Sequence, residues 1–263
     1  MREGVNVDLE LAGKVAVVTG GSRGIGRAIA LRLAAEGSHV GICCRTAAQL
    51  PSVLAEMTSY GVRAHGVAAD VTTPGAVEGF VDECAQALGG VDLLVANVGG
   101  SSGGSLLEST PEDWRRTFDL NLFHAVRAIR SAVPHMERRG GGSAIVIGSI
   151  SGWKPGPRSQ YGAAKAAETF LASALALELA PKRIRVNTVN PGSLRFPGGG
   201  WQRLANEQPE RYAEFVRREF PWGRLGTAEE VADVVAFVLS NRASWVNGAA
   251  INVDGGQGRP TAF

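Results

Sequence analysis

The sequence predicts an α/β fold: one doubly wound domain in which helices cover both faces of a parallel seven-stranded sheet. Three observations carry this expectation. Short runs that are apolar on both faces alternate with segments of helical period, the pattern of a parallel sheet buried between helices. No linker or internal repeat interrupts the alternation. The composition, 44% hydrophobic and 20% charged, suits a globular chain and not a disordered one. The length of 263 residues allows one large domain or two small ones, and the unbroken alternation selects a single domain over 1–263.

The elements follow in order. Residues 14–19 (KVAVVT) are a β-branched run closed by glycines, hence a buried strand. Residues 24–36 place Ile25, Ile29 and Leu33 on one helical face, with Arg27 and Arg32 elsewhere. A second strand is expected over 39–44, a helix over 46–59 and a third strand over 62–68. Residues 74–88 have a Thr-Thr-Pro start and a Gly-Gly stop, the punctuation of a helix. Residues 91–96 form the fourth strand, and Ser109-Thr110-Pro111-Glu112 opens one long helix reaching about Arg138. A fifth strand over 143–149, a helix over 158–180, a sixth strand over 183–190, a helix over 227–240 and a last strand over 249–253 complete the alternation. Residues 195–226 stand outside it. They begin Phe196-Pro-Gly-Gly-Gly-Trp201, end Phe220-Pro-Trp-Gly-Arg224 and are charged and amphipathic between, so they read as a lid.

Charge and cysteine exclude whole classes. With 27 Lys+Arg against 25 Asp+Glu the formal charge is +2, too balanced for a nucleic-acid or membrane-surface protein. Cys43, Cys44 and Cys84 are an odd count without CxxC or Cys/His spacing, which argues against disulfides and a metal site and for core thiols in a reducing cytosol. Residues 1–10 carry three acids and no apolar core, unlike a signal peptide. No uncharged apolar run approaches the roughly 20 residues that span a bilayer. A cytoplasmic protein is expected.

Glycine is abundant, 35 residues in all, and one cluster has a chemical reading. Thr19-Gly-Gly-Ser-Arg-Gly-Ile-Gly26 joins the first strand to the first helix. Gly20, Gly24 and Gly26 permit a tight turn and bring the helix N-terminus, with its free N–H groups, against a pyrophosphate. The lysine and Ser/Thr of a P-loop are absent, so a P-loop nucleotidase is disfavoured. A ribose diol usually calls for an acid at the end of the second strand. That place holds Cys43-Cys44-Arg45-Thr46. Arg45, with Arg23 inside the turn, suits a 2′-phosphate, so NADP(H) is expected over NAD.

Tyr161-Gly-Ala-Ala-Lys165 puts a phenol and an ammonium one turn apart on one helix face. A phenol ionises too late to be a good acid–base group at neutral pH, and a neighbouring ammonium favours its phenolate. Ser149 ends the fifth strand, at the carboxyl edge where such sheets bind ligands, and its hydroxyl can hold a carbonyl or carbinol oxygen.

With these motifs in place the chain resembles the short-chain dehydrogenase/reductase family over residues 11–256. The residues carrying the likeness are the turn 19–26, Asp70-Val71, Asn97-Val98-Gly99, Asn121, Ser149, Tyr161 to Lys165, Asn190-Pro191-Gly192 and Val253-Asp254-Gly255-Gly256. The wording is closest to the 3-oxoacyl-carrier-protein-reductase-like branch. The resemblance implies a Rossmann fold, Tyr161 as proton donor or acceptor, and Lys165 assisting it while holding the nicotinamide ribose. It implies that Ser149 orients the substrate carbonyl and that Asn121 holds a water leading from Lys165 to solvent. Cofactor contacts implied are Gly20, Ser22, Arg23, Gly24, Ile25, Gly26, Arg45, Thr46, Asp70 and Val71 at the adenine, Asn97, Gly99, Pro191, Gly192 and Leu194. Two positions depart from the family pattern. Ala96 stands where an asparagine is common, and Phe196 where a threonine usually binds the carboxamide. Phe196, Trp201 and Trp153 therefore join Ser149 as expected substrate contacts.

The expected activity is hydride transfer between NADP(H) and a mostly apolar carbonyl/alcohol substrate, such as a ketone or 3-oxoacyl group. The rival readings are an NAD-linked alcohol, sugar or steroid dehydrogenase, and a non-catalytic dinucleotide sensor. The helix over 158–180 is apolar on more than one face, which suggests a subunit interface. The family resemblance implies a homotetramer.

Overall fold

Seven strands make one sheet in the computed structural model, which describes residues 7–258. The first six residues of the acidic 1–10 stretch lie outside the described residues. The strands are β1 (Val15–Thr19), β2 (His39–Cys44), β3 (Ala64–Ala68), β4 (Leu93–Ala96), β5 (Gly142–Ile147), β6 (Ile184–Pro191) and β7 (Ala250–Val253). Their spatial order is β3-β2-β1-β4-β5-β6-β7, and every neighbouring pair is parallel. The order reverses between β1 and β4. In a doubly wound sheet that reversal opens a crevice at the carboxyl ends of the strands.

Side chains leave successive residues on opposite faces of a strand, and the core divides accordingly. Ala16, Val18, Leu93, Val95, Ile145 and Ile147 pack with α1 (Gly24–Ala35), α2 (Leu50–Thr58) and α9 (Ala228–Leu239). Val17, Leu94, Ala96, Ala144 and Val146 pack with α3 (Ala76–Leu88), α5 (His124–Arg138) and α6 (Ser159–Leu179). The central strands β1, β2, β4, β5 and β6 are buried on both faces, as the doubly apolar runs required, while the edge strands β3 and β7 are partly exposed. Gly41 on β2 leaves room for the Cys84 side chain beneath it. All three cysteines are buried and unpaired, and burial pushes the Cys43 thiol up to about 12, so it stays an unreactive core group.

The helix expected over about 109–138 is not continuous. α4 (Pro111–Phe118) starts on a capping box, Thr110 Oγ1 accepting from the Asp113 amide and the Asp113 carboxylate from the Thr110 amide. It then widens into a π turn over Asp119–Phe123 before α5 begins. The cause is visible at Asn121, whose Nδ2 donates to the Thr117 carbonyl at 2.6 Å and to the Gly100 carbonyl at 2.7 Å. A side chain that claims a helix carbonyl competes with the regular ladder.

The helix expected from 46 begins as a 3₁₀ turn over Ala47–Gln49 and becomes α2 only at Leu50, and other boundaries move by a residue or two. Lys14 and Val62 precede their strands, Gly142 starts β5 instead of belonging to the loop, and β5 stops at Ile147. Ser149 therefore lies beyond the strand, at the head of a 3₁₀ turn over Ile150–Gly152, where its Oγ accepts from the Ser151 amide at 3.1 Å. Residues 195–226 contain two short helices, α7 (Gly200–Glu207) and α8 (Pro209–Glu219), broken apart by Pro209. They carry a small core of their own. Trp201 stacks on Phe215 with centroids 4.1 Å apart, and Phe220 meets Phe215 edge-on at 5.9 Å.

One buried charge ties the amino ends of the strands together. Asp92 Oδ2 accepts from the Val15 amide at 2.8 Å, and Arg139 reaches both carboxylate oxygens. Asp92→Ala strands a buried amide, so urea denaturation should show a loss of about 2 kcal/mol with an unchanged slope. A loss below about 0.5 kcal/mol would put it among ordinary surface changes instead.

Candidate active site

The glycine turn is held open by hydrogen bonds from Asn97, the residue after β4. The Asn97 amide N–H donates to Thr19 Oγ1 at 2.9 Å, and its side-chain Nδ2 donates to the Thr19 and Gly20 carbonyls at 2.9 and 3.3 Å. Asn97 thus braces the turn from behind. Gly20 and Gly24 hold left-handed φ of 68° and 55°. A Cβ on Gly26 would fall inside contact of the Gly20 carbonyl and 2.5 Å from Asn97 Nδ2. No side chain caps α1, whose N-cap is Arg23, so its first-turn N–H groups remain donors. A close turn, uncapped amides and a helix N-terminus fit the pyrophosphate of a dinucleotide.

Around the turn and beyond the end of β2, Arg23, Arg45 and Thr46 are exposed. Ser22 Oγ donates to Gln49 at 2.8 Å, across the mouth of the turn. Hydrogen bonds from the Thr72 amide and hydroxyl hold the Asp70 carboxyl below its ordinary range, and the nearby Arg45 guanidinium adds to this. Val71 is buried, and its carbonyl accepts from Arg127 at 2.9 Å. On the far side of the crevice Pro191 closes β6, the Gly192 amide bonds to the Val253 carbonyl, and buried Leu194 bridges to Gly226.

The central cluster comes from four segments. Tyr161 and Lys165 share a face of α6, with Lys165 Nζ 5.7 Å from the centre of the Tyr161 ring. The 3₁₀ turn after Ser149 lies against this face. A Cβ on Gly152 would touch the Lys165 backbone, and one on Gly162 the Ser151 carbonyl. Lys165 Nζ donates to the Ile147 carbonyl at 2.9 Å. Asn121 is fully buried on the π turn, and its Oδ1 accepts from the Gly100 amide at 3.2 Å. Gly99 is where these converge. A Cβ there would sit 2.8 Å from Asn121 Oδ1 and 3.0 Å from Lys165 Nζ. The structure thus gathers Asn121, Ser149, Tyr161 and Lys165 around one end of the sheet.

Two further residues belong to this cluster without having been anticipated. Glu168, three residues after Lys165, is buried with its Oε2 2.9 Å from Lys165 Nζ. The available clue was an acid set in the apolar stretch Ala166 to Ala176. Burial pushes the Lys165 ammonium down, but Glu168 and Tyr161 outweigh this and hold it above its ordinary value. His124, also fully buried, places Nε2 2.8 Å from Thr19 Oγ1, and burial lowers it to about 3, so it is neutral.

A cleft of about 1220 Å³ opens over Ser149 and Tyr161. Trp153, Phe196, Trp201 and Phe215 give it apolar walls. Phe196 lies against Gly24, where a Cβ would meet its ring at 3.2 Å, so it touches the glycine turn as well as the cleft. Lys154 is paired to Glu219, while Arg158, Arg211 and Arg218 stand at the rim. Among the described residues no group of three His, Cys, Asp or Glu could hold a metal ion.

Comparison with known proteins places these features in context. A family model described as enoyl-(acyl carrier protein) reductase matches residues 20–257. The human dehydrogenase/reductase SDR family member 4 is 36% identical over 248 residues, 94% of this chain and 88% of the relative. Among solved structures, L-sorbose reductase from Gluconobacter frateurii, complexed with NADPH and L-sorbose, is 34% identical with a TM-score of 0.91, over 97% of this chain and all of that one. A 7α-hydroxysteroid dehydrogenase complexed with NADH is 30% identical with a TM-score of 0.87, over 95% of this chain and 96% of the other.

Proposed function

The chain belongs to the short-chain dehydrogenase/reductase family, and from that premise we propose that it is an NADP(H)-dependent ketone or 3-oxoacyl reductase. The observation that carries the reading is the convergence of Ser149, Tyr161, Lys165 and Asn121 at the carboxyl ends of the strands, beside a turn shaped for pyrophosphate. A nicotinamide held in this crevice would supply the hydride for the carbonyl carbon. Ser149 Oγ holds the carbonyl oxygen, and Tyr161 Oη gives that oxygen its proton as charge develops on it. Lys165 stabilises the phenolate left behind and holds the nicotinamide ribose hydroxyls. Asn121 keeps the space beside Gly99 open to a water through which the proton is replaced. Oxidation of the alcohol is the same sequence reversed.

Arg45 and Arg23 support NADP(H), as does the NADPH in the sorbose reductase structure. The hydroxysteroid dehydrogenase with NADH favours the alternative, an NAD-linked dehydrogenase on the same catalytic groups. Arg45→Asp discriminates them. It removes a 2′-phosphate partner and supplies a diol acceptor, so the ratio of kcat/KM for NADPH over NADH should fall about 100-fold. An unchanged ratio would sink the assignment.

The apolar walls of the cleft support a mostly apolar carbonyl compound, with residues 195–226 as the lid of a single domain. Screening NADPH oxidation over β-ketoacyl thioesters, quinones and cyclic ketones would name the class. Phe170 and Leu177 stand 77% and 80% exposed on α6, apolar surface that supports the expected homotetramer. No described helix is long and apolar enough to cross a membrane.

A further inference from the structure

Lys165 has three protons to place. One goes to the Ile147 carbonyl at 2.9 Å, and a second faces Glu168 Oε2 at 2.9 Å. The third makes no hydrogen bond among the described residues and is left for the ribose hydroxyl or water proposed above, on the side of Gly99, where an added Cβ would stand 3.0 Å from the ammonium. The pair is buried, with side chains 3% and 1% exposed, and beyond this ion-pair contact the carboxylate oxygen has no hydrogen-bond partner among the described residues. Taking two charges out of water costs more than an apolar pair of similar volume would, and their attraction offsets the cost only in good geometry. The fold alone therefore gives no reason to keep an acid at this place, among Ala164, Ala172 and Ala176 on the buried face of α6.

We propose that Glu168 is a positioning residue of the reductase site, which keeps Lys165 charged and raises the pH at which the Tyr161–Lys165 couple gives up its proton. The proposal rests on the reductase reading above. Two ionisable groups in contact titrate as a unit, and an anion beside them stabilises the proton on whichever of the two carries it. The other groups facing the couple do not supply that anion. His124 from α5 is neutral, and Arg127 is cationic and paired to Asp119. Asp113 of α4 is engaged by Ser102 and Thr110. Burial raises the pKa of Glu168 itself, and its contact with Lys165 opposes this; ionised beside Lys165, Glu168 holds the ammonium proton more firmly than a neutral side chain would. The site is thereby biased towards giving a proton to a carbonyl oxygen, which is the reductive direction.

The test is the pH profile of kcat/KM for NADPH-driven reduction in the wild type, Glu168→Gln and the apolar Glu168→Met. In both variants the high-pH limb should move down by about one pH unit or more. Glu168→Asp, which keeps the charge, should leave the limb close to its wild-type position. A limb that stays in place while rates fall equally at every pH would make Glu168 merely structural and overturn the proposal. A second readout needs no turnover. The phenolate absorbance of Tyr161, taken as the difference from Tyr161→Phe, should titrate at lower pH in Glu168→Gln than in the wild type. If the wild type reduces no ketone but this midpoint moves, the reductase reading fails and the role of Glu168 stands. If turnover is present and neither limb nor midpoint moves, the role of Glu168 fails alone.

Discussion

Tyr161→Phe should lower kcat for ketone reduction by about 10²- to 10⁴-fold, the range supplied by a positioned proton donor. The change removes one oxygen and leaves the ring in place beside Lys165, 5.7 Å from its Nζ. NADPH affinity, read from the fluorescence of the bound nicotinamide, should stay within about twofold, because the glycine turn and Lys165 are untouched. The loss should fall on kcat and kcat/KM alike, since the missing interaction belongs to the transition state. Turnover within a few-fold of wild type on a reactive diketone would show that another group supplies the proton. It would return the Tyr161–Lys165 face to a structural role.

Gly26→Ala should be the most damaging single methyl group in the cofactor site. Ordinarily alanine stabilises a helix over glycine by about 1 kcal/mol. Here the added Cβ enters the space of the Gly20 carbonyl and stops 2.5 Å from Asn97 Nδ2, so the turn must open or α1 must retreat. Overpacking of this kind costs about 1–3 kcal/mol. The displaced turn should weaken NADPH binding about 100-fold, equivalent to about 2.7 kcal/mol. Gly79→Ala on α3 is the control, because nothing lies within 4 Å of a Cβ there. Thermal melting should show Gly79→Ala unchanged or stabilised and Gly26→Ala destabilised. Equal responses from the two would mean that the turn yields without cost.

The order of elements was legible because each buried strand is apolar on both faces and each helix has its own period. The glycine turn and the Tyr161/Lys165 pair were legible because their chemistry depends on spacing along one chain segment. What escaped was set by contacts between distant segments. The π turn depends on Asn121 reaching Gly100, 21 residues back, and no periodicity in 111–138 announces it. The lid helices were hidden by the dense Pro and Gly at 197–200 and 209. Glu168 lies three residues after Lys165 on the same helical face, so its spacing was there to read; what the sequence does not show is that α6 buries the pair. His124 gave no sign either, because its partner Thr19 lies 105 residues away on β1.

The π turn has an effect that reaches beyond Asn121. Each residue of an α-helix advances about 100° around the axis, so one extra residue in a turn rotates everything after it by about that angle. The segment that enters as α4 lies along α6, and the segment that leaves as α5 presents Ala125, Ala128, Ile129, Ala132 and Met136 to α3 and the sheet. A straight helix could satisfy only one of these docking directions. The widened turn works like a gear between them, and among the described residues it is where a single-residue deletion would swing a whole row of core side chains towards solvent while leaving the helix itself more regular.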